Sequence, residues 1–204
     1  MPILGLPVDP SLAAFPRQGE IAILDLEYTA WEGSEARRWS EAWEWREIVQ
    51  VGALMVEAST FSPRSGLDLL VRPTRNPQLS SYFQELTGIS QQQVELEGKT
   101  FSEAIMAMVS FLSIAEIVVF NGEDGQVLRE NCALHAIALD LNLDKMLNFR
   151  PLLARSLGRP ISELTSSKLP SIAGVRVNGR AHSALHDCHA IAAAFARWRA
   201  TGLL

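Results

Sequence analysis

The sequence predicts an α/β fold in which helices flank a mixed central sheet. Apolar runs rich in β-branched residues at 21–28 and 116–122 have the pattern of buried strands. Strand-like segments come first, and helices alternate with strands after them, which is typical of α/β domains. The chain contains no internal repeat or interdomain linker. We therefore expect one domain over residues 20–204, preceded by an irregular arm of residues 1–19.

Three strands are predicted in the first part of the chain. The segment IAILDLEY (21–28) is an apolar run, and REIVQVGALMVEA (46–58) alternates between apolar and polar residues. The third strand is LDLLVRP (67–73), which a proline closes. Because only short turn-like segments separate the last two, the three strands could form an antiparallel meander.

Most of the remaining chain has apolar spacing and end signals of helices. Helices are predicted at 79–90, 90–96, 101–112, 124–140, 166–175 and 182–200, and a strand that runs into a helix at 147–158. The buried stripe of the 124–140 helix would consist of Leu128, Cys132, His135 and Leu139. That of the last helix would consist of Leu185, Cys188, Ile191, Phe195 and Trp198.

Charge and cysteine content narrow the class of protein. The net charge of −5 argues against a general nucleic-acid coat, but residues 1–144 hold 9 basic and 21 acidic residues, and residues 145–204 hold 9 and 2. This asymmetry suits a polyanion docked on one face, unless the two parts interleave in the fold. Cys132 and Cys188 are too few for a disulfide framework, which fits a reducing cytoplasm. The first residues do not resemble a signal peptide and no uncharged run could span a bilayer, so we expect no membrane partner.

Two acidic residues end the first predicted strand. Asp25 and Glu27 are two apart, so their side chains point to the same face. Two like charges are costly to bury side by side unless a cation lies between them. Hard oxygen ligands suit Mg²⁺ or Mn²⁺. The alternative is an exposed strand end with solvated acids.

Asp124 is a second candidate ligand. It follows the strand predicted at 116–122, and ligands of α/β sheets gather at strand ends. The alternative is a helix cap, which is the commoner role of an Asp after Asn-Gly.

The start of the last helix holds the third candidate group. His182 and Asp187 are five residues apart, and they can reach a common point if His182 lies in the loop before the helix. His182 and His186 also have the spacing of a zinc helix. Ser183, however, stands where H-E-x-x-H requires Glu, so zinc is not expected.

Together, these groups resemble the motifs of the DEDDh 3′-to-5′ exonucleases, which have the ribonuclease-H-like fold. Asp25-Leu26-Glu27 resembles D-x-E, Phe120-Asn121-Gly122-Glu123-Asp124 resembles an apolar residue followed by Asn-x-x-Asp, and His182, Ala184 and Asp187 resemble H-x-A-x-x-D. The resemblance runs from about residue 20 to 198 and looks closest to the Eri-1/KapD-like branch. Tyr28, where many members have Thr, and Gly125, where a larger residue is usual, depart from the pattern.

The resemblance implies a 3′-to-5′ exonuclease with two divalent cations, Mg²⁺ or Mn²⁺. Asp25 would bridge the cations, Glu27 and Asp187 would complete the first, and Asp124 would orient the second. His182 would be the general base, because an imidazole titrates near ~6.5. The partner would be RNA or DNA with a free 3′ end, and the product a nucleoside 5′-monophosphate.

Four residues are predicted to bind the substrate. Trp31 lies only four residues after Glu27 and could stack on a terminal base, and Asn121 belongs to the second motif. Arg176 and Arg180 lie in the basic segment before His182 and could contact phosphates.

The other tryptophans suggest a cover over the site. Trp39, Trp43 and Glu47 share helical spacing, which predicts a short helix there. The bland alternative is that these rings, Trp31 included, only pack the domain.

Two alternatives to an exonuclease are open. The chain could be a nucleic-acid-binding or adaptor module that kept the fold and lost the chemistry, or a structural core with coincidental acids. RNA or DNA preference, protein partners and oligomeric state are not predicted.

Overall fold

The computed structural model describes Leu12, residues 15–138 and residues 145–204. In this part of the chain the strands are β1 (Glu20–Tyr28), β2 (Ile48–Glu57), β3 (Pro63–Leu70), β4 (Ile117–Phe120) and β5 (Met146–Asn148). They form one sheet in the order β3-β2-β1-β4-β5. The first three strands pair antiparallel, which confirms the meander, and β4 and β5 run parallel to β1. The predicted mixed sheet is confirmed, and β1 and β4 end at the same edge.

Helices cover this sheet on both faces. They are α1 (Ser34–Arg37), α2 (Ser81–Thr87), α3 (Gln91–Glu97), α4 (Phe101–Leu112), α5 (Asp124–Leu134), α6 (Arg150–Leu157), α7 (Leu169–Ala173) and α8 (Ala184–Ala200). Short 3₁₀ turns occupy Ile161–Glu163 and Ser166–Lys168. Ser80, Ser90 and Thr100 cap α2, α3 and α4 by accepting a backbone hydrogen bond, so these helices begin where the sequence predicts.

The alternation of side chains along β1 divides the core into two halves. Ile21 and Ile23 lie in a cluster with Phe195 and other residues of α8. Ala22 and Leu24 point to the opposite face and lie in a cluster with residues of α4 and α5. The sheet is therefore the middle layer of three, and α8 covers the face that Asp25 and Glu27 share with Ile21 and Ile23.

The helix predicted at 124–140 and the strand predicted at 67–73 have different bounds in the structure. The helix predicted at 124–140 ends at Leu134, because the backbone turns into the left-handed region at Ala136 with a φ of 53°. Leu139 of its predicted stripe lies outside the described residues. β3 begins at Pro63, before the predicted start at residue 67. The pattern does not predict these first residues as strand, because they are exposed and do not alternate between apolar and polar types.

None of the helices in the described residues is both long enough and apolar enough to cross a membrane. Cys132 and Cys188 are buried free thiols in different core clusters, on opposite faces of the sheet.

Candidate active site

The candidate site lies at the edge where β1 and β4 end. β4 stops at Phe120, whose pairing partner on β1 is Leu24, so β1 continues beyond the end of its neighbour. The next free N–H on that side belongs to Leu26, and it donates to Oδ1 of Asp124 at 3.1 Å. Asp124, the first residue of α5, therefore satisfies a backbone group that a longer strand would otherwise pair.

Asp25 and Glu27 lie on the end of β1 that projects past β4. They share one face of the sheet and are only 7% and 9% exposed. The hydroxyl of Ser166, in the second 3₁₀ turn, donates to Oδ1 of Asp25 at 3.3 Å. The alternative of an exposed strand end does not hold, because both carboxylates are buried.

The start of α8 packs directly on β2 and brings Asp187 to the same place. Gly52, the residue paired with Asp25, makes this possible, because a Cβ there would lie 2.3 Å from the carbonyl carbon of Ala184. Gln50 accepts the N–H of Ala184 at 3.0 Å and donates to Asp68 at 2.7 Å. These contacts fix the first turn of the helix against the sheet.

His182 lies in the loop before α8, in the left-handed region with a φ of 61°. Its backbone N–H donates to Oδ2 of Asp187 at 3.3 Å. One possible ligand atom from each of Glu27, His182 and Asp187 lies within 4.8 Å of the others. The structure thus brings His182 and Asp187 to a common point, which their spacing on a helix would not allow.

Burial, and the short distances between the carboxylates, raise their pKa values. Burial raises the pKa of Asp25 well above its usual range, and the charges of Asp124, Glu27 and Asp187 add to the rise. Burial raises the pKa of Glu27 to about 8, with further contributions from Asp187 and Asp124. Burial also raises the pKa of Asp124 to about 7, although the N–H of Leu26 and the charge of Arg150 oppose it. Four ionised carboxylates would repel one another here, so the cluster favours protons or cations.

The donor set fits a hard divalent cation. Oδ1 of Asp187 is buried and has no hydrogen-bond partner among the described residues. A buried, unpaired carboxylate oxygen beside Glu27 and His182 is costly unless something positive meets it. Carboxylate oxygens are the ligands that Mg²⁺ and Mn²⁺ prefer.

These carboxylates form the floor of a cleft of about 260 Å³. Two kinds of side chain line its walls. One group is aromatic or apolar and includes Ala30, Trp31, Trp39, Tyr82 and Leu86. The other is polar and consists mainly of Asn121, Arg150, Thr165, Ser166 and Ser167. The cleft thus offers both apolar and polar contacts to a ligand with bases and phosphates.

Trp31 lines the cleft, but the helix predicted through Trp39, Trp43 and Glu47 does not form. The segment has only the short α1, and Trp39 has a φ of 50°. Glu47 is buried and accepts the backbone N–H groups of residues 74–76, so it holds a turn instead. The Trp31 ring meets the Trp43 ring edge-on, with centroids 4.9 Å apart. A pair of aromatic residues therefore stands beside the site without a helix.

The other predicted substrate-binding residues lie in different places. Asn121 lines the cleft, but its amide donates to the Leu164 carbonyl and the Ser166 hydroxyl, both at 3.0 Å. Arg176 and Arg180 do not line the cleft. Arg180 donates to the carbonyl oxygen of Glu85 at 2.5 Å. Phosphate binding by these two arginines stays a prediction.

Three polar residues of the site were not predicted from the sequence. Ser166 contacts Asp25, Gln50 holds the start of α8, and Arg150 lines the cleft next to Asn121. A signal for Arg150 existed, because it follows a strand, β5, that runs parallel to β1 and ends at the same edge. Ser166 and Gln50 have no comparable local signal.

The sequence departure at Gly125 has a packing explanation. A Cβ on Gly125 would lie 2.7 Å from the ring of Phe120, so the ring occupies the space of a larger residue. His186, the partner in the rejected zinc spacing, packs its imidazole against Gly179, where a Cβ would lie 2.2 Å from the ring. The His186 side chain therefore packs against a turn, and it does not belong to the group formed by Glu27, His182 and Asp187.

Comparisons with known proteins agree with this geometry. The RNase_T family, described as Exonuclease, matches residues 22–195. The 3′-5′ exonuclease Snipper of Drosophila melanogaster is 36% identical over 84 residues, which are 41% of this chain and 28% of Snipper. The 3′-5′ exoribonuclease 1 of Mus musculus is 25% identical over 181 residues, which are 84% of this chain and 50% of that protein. The chain thus spans half or less of the length of these relatives.

Solved structures share the fold. The nuclease domain of 3′hExo, a DEDDh family member bound to rAMP, has a TM-score of 0.79 and 23% identity, with 93% of this chain and 96% of that one covered. Cell-death related nuclease 4 (CRN-4) has a TM-score of 0.73 and 20% identity, with 91% and 65% covered. The predicted ribonuclease-H-like exonuclease fold is confirmed.

Proposed function

This chain belongs to the RNase_T exonuclease family, and from that membership we propose that it removes nucleotides from the 3′ end of RNA or DNA. The reaction is hydrolysis of the terminal phosphodiester bond, and the product is a nucleoside 5′-monophosphate. The names of the relatives, an exonuclease and an exoribonuclease that both act in the 3′-to-5′ direction, support this polarity.

The observation that carries the proposal is the buried carboxylate cluster. Asp25, Glu27, Asp124 and Asp187 converge from three separate elements at one sheet edge, and Oδ1 of Asp187 has no partner among the described residues. Such a cluster destabilises the fold when it is ionised, so its presence calls for a function that uses the charge.

These four carboxylates would hold two divalent cations, Mg²⁺ or Mn²⁺. When bound, the cations stabilise the negative charge that develops on the phosphate and lower the pKa of water. The four carboxylates all line the cleft, so the scissile phosphate would have to enter it.

The protein's own side chains supply the remaining steps. The imidazole of His182 accepts a proton from the attacking water, since it is half-buried and lies close to Glu27 and Asp187. Trp31, which lines the cleft, supports the terminal base and so orients the scissile bond toward the carboxylates.

The test is degradation of a 5′-labelled single strand in Mg²⁺ and in Mn²⁺. We expect a ladder that shortens from the 3′ end, and nucleoside 5′-monophosphates by mass spectrometry. A matched strand with a 3′-terminal phosphate, and a reaction with chelator, are the controls. A protein that binds the strand but never shortens it would favour the non-catalytic binding module and contradict the proposal.

The same assay defines the substrate class. RNA and DNA strands of equal sequence, each with and without a complementary strand, are compared by kcat/KM. The relative bound to rAMP supports a ribonucleotide 3′ end. Equal kcat/KM values for RNA and DNA would show that the 2′-hydroxyl does not contribute to substrate recognition.

A further inference from the structure

One arginine is placed to touch whatever enters the cleft. Among the described residues, Arg150 is the only Lys or Arg that lines it. Arg150 is the first residue of α6, just after β5, and its side chain is half-buried.

The guanidinium of Arg150 is held in a fixed position. Its Nε donates to the side-chain oxygen of Asn121 at 2.9 Å, and a terminal nitrogen donates to the Asn121 carbonyl at 2.6 Å. The group lies over Gly122, where a Cβ would be 2.7 Å from the guanidinium carbon. Asn121 is itself bonded to Leu164 and Ser166. Little side-chain freedom is left to lose when a ligand binds.

Arg150 has no direct ion-pair partner among the described residues, although its charge acts on the nearby carboxylate of Asp124. Both of its acceptors are neutral amide oxygens. Arg37 and Arg46, in contrast, pair with Glu44 and Glu130. A guanidinium has five N–H donors, and the bonds to Asn121 use two, so the others can meet an anion.

Resting on the proposed function, we propose that Arg150 binds a phosphodiester of the 3′-terminal dinucleotide. A nucleic acid that approaches the carboxylate cluster is repelled by it, and a fixed cation on the cleft wall offsets that repulsion. The guanidinium fork matches two phosphate oxygens, and the hydroxyls of Thr165 and Ser167 line the same cleft. The backbone of the chain end would then contact Arg150, and a terminal base could contact Trp31.

The experiment measures binding without catalysis. Fluorescence anisotropy in EDTA gives the Kd of labelled oligonucleotides that carry one neutral methylphosphonate, at the terminal linkage, at the next one, or far from the 3′ end. For wild type we expect the Kd to rise about tenfold at the linkage that Arg150 contacts, as for a lost charged hydrogen bond. In Arg150→Gln that rise disappears, and the slope of log Kd against log salt falls by ~0.7.

Two further variants keep the result interpretable. Arg150→Lys retains a donor for Asn121 and should fold even if Arg150→Gln melts early; it should lose part of the methylphosphonate effect. Arg159→Gln, at an exposed arginine paired with Glu163, is the matched control and should behave as wild type at every linkage. Thermal melts accompany each measurement.

The outcomes separate this inference from the proposed function. A methylphosphonate effect at either terminal linkage that is smaller in both Arg150 variants supports it. The same effect in wild type and in both variants overturns it, while a wild type that degrades strands keeps the proposed function intact. A wild type that neither binds nor degrades any strand overturns both.

Discussion

Alternate residues along β1 point to one face of the sheet, but those of its first half and those of its second half affect the stability of the fold in opposite directions. Ile21 and Ile23 are fully buried in an apolar cluster, where each buried side chain stabilises the fold by roughly 1.5–3 kcal/mol. Asp25 and Glu27 continue the same face and are almost as buried, yet burial and their acidic neighbours raise the pKa of each. One half of the strand holds the domain together, and the other half carries charge whose repulsion bound protons or a cation relieve.

The largest effects are expected from two substitutions on β1, one of which should remove activity and the other stability. Asp25→Asn should abolish hydrolysis, because Asp25 bridges the two cations in the proposed assignment. In chelator it should not lower the free energy of unfolding, since it removes a repelled charge. Ile23→Ala should lower that free energy by ~2–5 kcal/mol. Denaturant unfolding and oligonucleotide turnover measure the two quantities.

The control for Asp25→Asn is Glu57→Gln, at a partly exposed acid that ends β2 and pairs with Arg64. It should leave turnover unchanged. Full turnover of Asp25→Asn in Mg²⁺ would refute the metal assignment, and a stability loss equal to that of Ile23→Ala would refute the contrast between the halves.

His182 should have the next largest effect. Removal of a general base typically lowers the rate ~10²–10⁴-fold, so we expect this loss for His182→Asn with metal affinity unchanged in calorimetry. Asn is the better replacement because it tolerates the left-handed backbone at this position. A loss of metal affinity would instead make His182 a ligand, which its proximity to Glu27 and Asp187 would also allow.

Substitution of Trp31 tests whether its ring contacts a base of the substrate. If it supports a base, Trp31→Ala should raise KM by the equivalent of ~1–3 kcal/mol and keep its melting temperature. Trp45→Ala is the matched control, because Trp45 is 44% exposed and lies outside the cleft. A large drop in the melting temperature of Trp31→Ala with normal KM would identify a packing residue.

The last comparison is the pH dependence of stability. Since the folded pKa values of Glu27 and Asp124 are raised to about 8 and about 7, the folded state binds more protons than the unfolded state. In EDTA the stability from these groups is therefore present at low pH and is lost as pH rises from about 4 to about 8. Mg²⁺ should accordingly raise the melting temperature more at pH 8 than at pH 6.

Thermal melts in EDTA and in Mg²⁺ across this pH range measure the effect. The variant Glu27→Gln, which cannot ionise, should show a flatter dependence in EDTA. A flat profile for wild type in EDTA would contradict the picture of a charge-strained half of β1.

Local patterns in the sequence predict part of this site. Alternation places Asp25 and Glu27 on one face, and the motifs that resemble DEDDh exonucleases lead to a family that the match over residues 22–195 confirms. Ser166 and Gln50 could not be predicted, because their partners Asp25 and Ala184 are 141 and 134 residues away. Such contacts depend on how the helices pack on the sheet.

The tryptophan segment shows why a spacing can mislead. Trp39, Trp43 and Glu47 have helical spacing, but their side chains and backbone have stronger long-range partners. Thr29 donates to the Trp45 carbonyl and accepts the Glu47 N–H, and the Glu47 carboxylate binds residues 74–76. Tertiary hydrogen bonds therefore override a weak helical preference.

The contact of α8 with Gly52 restricts how this site can move. The backbone of Ala184 touches β2 and its N–H is bonded to Gln50, so the helix cannot slide or tilt without loss of both contacts. These contacts hold Asp187, in the first turn of the same helix, beside the end of β1. His182 precedes this anchor and is tied to it, because its backbone N–H donates to Oδ2 of Asp187. The packing on Gly52 and this hydrogen bond therefore link the loop before α8, the first turn of the helix and the sheet.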